Sequence, residues 1–186
     1  SDGALDGAGF YEPVGVALDA RGTLYVAETA GAIRIVRRDE NKVLSISGLK
    51  LGTLAGLAAG ADGTLYASET SSVHCILKVR LGSAIERIGG GIWPTSDAGD
   101  FRDGPAAQAR FCAPAGLALD AGGNLYIADS ANDLIRRCDP AGRVTTIAGS
   151  RGGFADGKVG DARFNRPRGV AVDASGCIYV ADSGNH

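Results

Sequence analysis

Gly116-Leu117-Ala118-Leu119-Asp120-Ala121-Gly122-Gly123-Asn124-Leu125-Tyr126 decides the fold, because the chain repeats it. The same frame runs from Gly15 to Tyr25, from Gly56 to Tyr66 and from Gly169 to Tyr179. Gly and Tyr are ten residues apart in all four copies, and a second glycine (Gly22, Gly63, Gly123, Gly176) always falls seven residues after the first. Internal repeats of this size signal a solenoid, a propeller or an array.

Each copy reads as a β-hairpin. Val16-Ala17-Leu18 is a short apolar strand, Asp19-Ala20-Arg21-Gly22 is turn chemistry, and Leu24-Tyr25-Val26-Ala27 is a second strand rich in aromatic and β-branched residues. Strands apolar on both faces need cover above and below, which stacked sheets provide. Third strands follow at Ile33–Val36, Cys75–Val79 and Leu134–Arg137, and fourth strands at Val43–Ile46, Ile85–Ile88 and Val144–Ile147. Arg and Lys in these later strands are expected to face solvent and discourage edge pairing. The pattern predicts an all-β propeller of four-stranded antiparallel blades, about three and a half of them, spanning 13–48, 54–90, 114–149 and, in part, 167–186. The connectors repeat as well. Asp2-Gly3, Asp103-Gly104 and Asp156-Gly157 each stand eleven residues before Pro13, Pro114 and Pro167, with Phe10, Phe111 or Phe164 between.

The last copy, Arg168 to His186, resembles the NHL-repeat family and ends on Asn185-His186, the first two letters of the family's name. Ala131-Asn132-Asp133-Leu134 departs from it at the His, and the first two copies depart further. The resemblance implies a propeller, typically six-bladed. An arc of three and a half blades would leave two sheet faces open, so further chain or further copies are expected to close the ring. Family resemblance fixes fold more than function.

Composition narrows the rest. The 186 residues carry 19 basic and 21 acidic side chains, a formal charge of −2, which argues against a nucleic-acid partner. No apolar run is long enough to span a membrane. The absence of Met marks the sequence as processed or partial, so the lack of a leader says nothing about compartment. Cys75, Cys112, Cys138 and Cys177 have neither zinc-ligand nor disulfide-framework spacing.

Glu28, Glu69, Asp129 and Asp182 recur after the second strands and are the candidate metal ligands, with Ca²⁺ the ion such a carboxylate ring would take. The competing reading is that each caps the following turn, helped by Thr29, Thr70, Ser130 and Ser183. A residue present in every repeat usually serves the repeat, so no cofactor is expected. Asp19, Asp120 and Asp173 read as turn residues. His74 reads as an exposed strand or turn residue, and two histidines do not make a ligand triad. No nucleophile elbow occurs. The chain therefore reads as a non-catalytic scaffold with a protein or peptide partner. The alternative is a metal-dependent propeller hydrolase or lyase, like the family-related lactonases and amidating lyases. Candidate contact residues are Trp93, alone of its kind and placed in the longest connector, and the connector arginines Arg110 and Arg163.

Overall fold

A computed structural model describes residues 1–46, 49, 51–71, 73–90, 101–150, 152–158 and 160–186. The elements are strands and two single 3₁₀ turns. The first sheet holds β1 (Gly3–Ala4), β2 (Pro13–Leu18), β3 (Leu24–Glu28), β4 (Ile33–Arg37) and β5 (Lys42–Ser45), in the order β1-β5-β4-β3-β2. The second holds β6 (Leu54–Ala59), β7 (Leu65–Glu69), β8 (Cys75–Val79) and β9 (Glu86–Ile88). The third holds β10 (Gly104–Pro105), β11 (Pro114–Leu119), β12 (Leu125–Asp129), β13 (Leu134–Cys138) and β14 (Arg143–Ala148), in the order β10-β14-β13-β12-β11. The fourth is the pair β15 (Pro167–Val172) and β16 (Ile178–Asp182). All pairings are antiparallel, and the sheets are the blades of a β-propeller.

The repeated hairpin has a local cause. Asp120 Oδ1 accepts the Asn124 N–H at 2.8 Å, and Oδ2 accepts the Tyr126 hydroxyl at 3.1 Å. Asp19 with Tyr25 and Asp173 with Tyr179 repeat the pair at 3.2 and 3.0 Å. One carboxylate thus ties the turn to the second strand, which sets the spacing from Asp to Tyr. The turn ends on Gly123 at φ +81°, a conformation that a side chain resists. In the second blade Gly60 stands where the others have Asp, and Asp62 holds Thr64 instead, through the N–H at 3.0 Å and the hydroxyl at 2.8 Å.

The first glycine of each repeat answers to packing between blades. A Cβ on Gly56 would lie 2.3 Å from the Ala115 carbonyl oxygen, and one on Gly116 would lie 2.5 Å from the Arg168 carbonyl oxygen. Inner strands therefore meet backbone to backbone. Outward from them, apolar side chains interleave. Tyr25, Ile33 and Ile35 pack with Leu54, Leu57 and Leu77 between the first two blades. Ile76, Phe111, Leu125, Ile127, Cys138 and Val144 pack between the second and third. Leu57 and Leu117 are 5% and 8% exposed, whereas Val16, at the same place in the first blade, is 65% exposed. The outer face of the first blade is open.

Two outcomes test this. Gly116→Ala is expected to cost about 1–3 kcal/mol in urea unfolding, because two backbones must part. Gly169→Ala, whose Cβ would meet only the Ala181 methyl at 3.1 Å, is expected to cost less. The second outcome concerns pH. Burial raises the Asp120 carboxyl, but hydrogen bonds from Asn124 and Tyr126 outweigh it and hold the group below its usual 3.8. Asp173 is lowered by the Ser175 hydroxyl and the Cys177 and Ser175 N–H groups. Both favour the ionised form more in the folded chain than in the unfolded one. Their contribution is complete above the ordinary carboxylate range and is lost as pH falls through the lowered values. Asp120→Asn should flatten the loss of stability measured between about pH 5 and pH 2.

Candidate functional site

The four carboxylates after the second strands sit at equivalent places, and each is engaged. Glu28 Oε1 accepts the Tyr11 N–H at 3.0 Å. Asp129 Oδ1 accepts the Cys112 N–H and Asp182 Oδ1 the Asn165 N–H, both at 2.7 Å. Each of these donors lies 17 residues earlier, in the connector that leads into the same blade. Glu28, Asp129 and Asp182 thus hold the preceding connector, and Asp129 and Asp182 also take the side chains of Asn132 (2.9 Å) and Asn185 (2.6 Å) in the following turn. Thr29 and Ser183 also face the preceding connector, donating to the carbonyls of Glu12 at 2.8 Å and Arg166 at 2.7 Å. Glu69, in the blade with the shortest connector, accepts the Ser71 hydroxyl at 2.5 Å and lies 3.7 Å from the Cys75 sulfur.

Two residues outside the expected site complete it. Arg34 and Arg136, in the third strands, are 3% and 0% exposed, contrary to the expectation that basic residues there face solvent. Arg136 Nη1 donates to Asp129 Oδ2 at 2.7 Å and to the Arg110 carbonyl at 3.0 Å. Its Nη2 donates to Asp103 Oδ1 at 2.7 Å and to the Arg102 carbonyl at 2.9 Å. Its guanidinium lies over the rings of Phe111 and Phe101, 5.2 and 5.4 Å from their centres. Arg34 repeats the arrangement with Glu28, Asp2, the carbonyls of Ser1 and Gly9, and the Phe10 ring. Asp103 and Asp2 also accept the N–H groups of Thr146 and Ser45 in the fourth strands, at 2.9 and 3.0 Å. Burial pushes the Asp129 carboxyl up, to about 6, against the opposing pull of Arg136, Asn132 and the Cys112 N–H. The second blade has Leu77 where the third has Arg136, opposite Ala67 as Arg136 is opposite Ile127, and its entry lacks the Asp-Gly…Phe motif. That co-occurrence was the signal available in the sequence.

His74 is a turn residue at φ +47°, partly buried. Its Nδ1 accepts the Ala113 N–H at 2.8 Å. Asp133, at the matching place in the third blade, accepts the Arg166 N–H at 2.7 Å. Both latch a blade to the connector of the next. Buried Cys75 and Cys138 have thiols raised to about 12 and about 11, first by desolvation, so neither is a ready nucleophile. Arg163 is exposed and Arg110 half-buried, while Trp93 lies outside the described residues. Among the described residues no three His, Cys, Asp or Glu side chains converge on a metal-sized site. Nor is any described helix long and apolar enough to cross a membrane.

The model of the NHL repeat matches residues 111–138 and 164–186, the two stretches that carry Asn132 and Asn185. The chain carries NHL repeats. A cattle (Bos taurus) protein, NHL repeat-containing protein 2, is 40% identical over 91 residues, 45% of this chain and 12% of that protein. A Bacteroides thetaiotaomicron protein of unknown function shares the fold at TM-score 0.80 and 26% identity, over 91% of this chain and 44% of its own. A putative gluconolactonase shares it at TM-score 0.67 and 15% identity, over 100% of this chain and 60% of its own, a likeness of fold alone. The NHL chain thus spans under half of the Bacteroides protein and about an eighth of the cattle one.

Breaking one partner of a buried ion pair costs about 3–5 kcal/mol, because the other charge stays buried. Arg136→Met is expected to cost that much in chemical unfolding. Asp103→Asn, at a half-exposed partner, should cost about 1 kcal/mol.

Proposed function

We propose that this NHL chain is a non-catalytic scaffold whose rim of fixed connectors meets a protein or peptide partner, within a larger protein or assembly. The observation that carries the reading is the use of the recurring carboxylates. Glu28 and Asp129 are spent on arginines and connector N–H groups, Asp182 on Asn165 and Asn185, and Glu69 on Ser71. A residue already engaged by its own repeat is poorly placed to take a metal or move a proton. The described parts of these connectors carry exposed arginines at Arg102, Arg163, Arg166 and Arg168, a surface suited to contact. Arg163 is the contact residue this reading puts first, with Arg110 beside the clamp.

The scaffold is distinguished from a metal-dependent hydrolase by titration calorimetry and thermal unfolding with millimolar Ca²⁺. The expected result is no saturable heat and no rise in Tm. One-to-one Ca²⁺ binding that Glu69→Gln abolishes would overturn the scaffold reading in favour of metal chemistry on the propeller axis.

A further inference from the structure

Between the second and third blades the chain fills the outer space with itself. It passes from Ile88 to Pro114 there, and the 3₁₀ turn Ala106–Gln108 lies against β9. The Ala106 N–H donates to the Gly142 carbonyl at 2.7 Å, and Ala109 and Phe111 are buried in the joint. Between the first and second blades the chain passes directly from Ser45 to Leu54, too short a path for such a turn. A cleft of about 910 Å³ lies there instead, between the hairpin turns of the two blades. Its walls belong to the first and second sheets. Its volume falls in the range of about 300–1,000 Å³ that suits a bound ligand.

Buried Tyr25, Ile35 and Val36 form the apolar part of the cleft, and Arg21, Arg37, Arg38 and Arg80 stand exposed around it. The carboxylates that line it are Asp19, Asp39, Glu40 and Asp62. Three of them are engaged within their own blade. Asp19 accepts the N–H groups of Arg21 and Thr23 and the Tyr25 hydroxyl. Asp62 accepts the N–H and the hydroxyl of Thr64. Glu40 pairs with Arg37 at 2.6 Å. The cations are less committed. Arg80 Nε donates to the buried Thr64 hydroxyl at 3.0 Å, which anchors the guanidinium and leaves its terminal nitrogens no nearer than 3.8 Å to the Asp62 carboxylate. Among the described residues, the side chains of Arg21 and Arg38 make no hydrogen bond or ion pair. Three guanidiniums therefore face the cleft against one unengaged carboxylate, Asp39.

We infer that this cleft is a docking site for a short acidic segment of the partner, an inference that rests on reading the chain as a scaffold for a protein or peptide. The chain's own use of the matching space one blade on gives the occupant its form, a stretch of peptide. The arginines give it its charge. One Asp or Glu carboxylate takes the terminal nitrogens of Arg80, a second meets Arg21 or Arg38, and an apolar residue between them covers Tyr25 and Ile35.

The probe is a phage-displayed library of random linear peptides selected on the 186-residue protein. Selected peptides are then synthesised with a fluorescent label and titrated by anisotropy. Sequences with acidic residues flanking an apolar one are expected. The double variant Arg21→Gln, Arg38→Gln should weaken their binding by about tenfold, and so should Arg80→Gln. The double variant removes no contact within the protein, so it keeps its fold, verified by circular dichroism. Arg163→Gln, on a connector, should leave binding unchanged. A selection that yields no acidic peptide, or acidic peptides that bind the double variant as tightly as the unaltered protein, would overturn the proposal. Peptides lost on Arg163→Gln alone would overturn it too, while upholding the connector rim as the contact surface of the scaffold.

Discussion

The buried arginine clamp governs how this chain is put together. A guanidinium with no exposure is stable inside a small protein only if every charge and carbonyl around it is in place. For Arg136 those partners are Asp103 and two carbonyls of the connector and Asp129 at the end of β12, and Asp103 is held in turn by Thr146 of β14. The clamp therefore joins the inner half of a blade, its outer half and the loop that leads into it. Arg34 does the same for the first blade. Both residues keep one buried nitrogen, Nε, without a partner, a cost that the two carboxylates and the aromatic faces offset.

Between blades the forces are different. Near the axis the glycines allow backbones to touch, and no polar side chain is needed there beyond Ser68, which donates to the Ala115 carbonyl at 2.6 Å. Further out the joint is apolar, and at the turn a single acceptor, His74 or Asp133, catches the N–H of the residue before the next proline. Those residues, Ala113 and Arg166, have φ of +47° and +50°, and Glu12 has +43°. A non-glycine residue before proline rarely takes this conformation, and it persists because the surrounding contacts over-determine it. The middle letter of the NHL motif thus serves the next blade, while its first letter serves the carboxylate of its own.

The blades were legible because their determinants are close in sequence. The Asp-to-Tyr tie spans six residues, and the strand alternation is local. Some strands run two or three residues longer than composition indicates, as at Pro13–Leu18 and Arg143–Ala148. The clamp was hidden because its partners lie up to 34 residues apart, and an arginine in an outer strand carries no local sign of burial. For the carboxylates the sequence favoured a bond to the following turn, whereas the direction of their bonds, back to the connector at Glu28, Asp129 and Asp182, depends on chain path and not on composition. Even so, the sequence holds a trace of it, since Arg34 and Arg136 occur where Asp-Gly precedes the blade and Leu77 occurs where it does not.

One detail of the topology has a mechanical meaning. In the first and third blades the connector pairs with the outermost strand, Gly3 opposite Val43 and Gly104 opposite Val144, before the same stretch of chain reaches the innermost strand. Each of these blades is laced at both margins by one continuous thread. Its outer margin cannot peel away without loosening the thread that anchors the centre, so slow amide exchange should extend to the periphery of the first and third blades and stop short of it in the second.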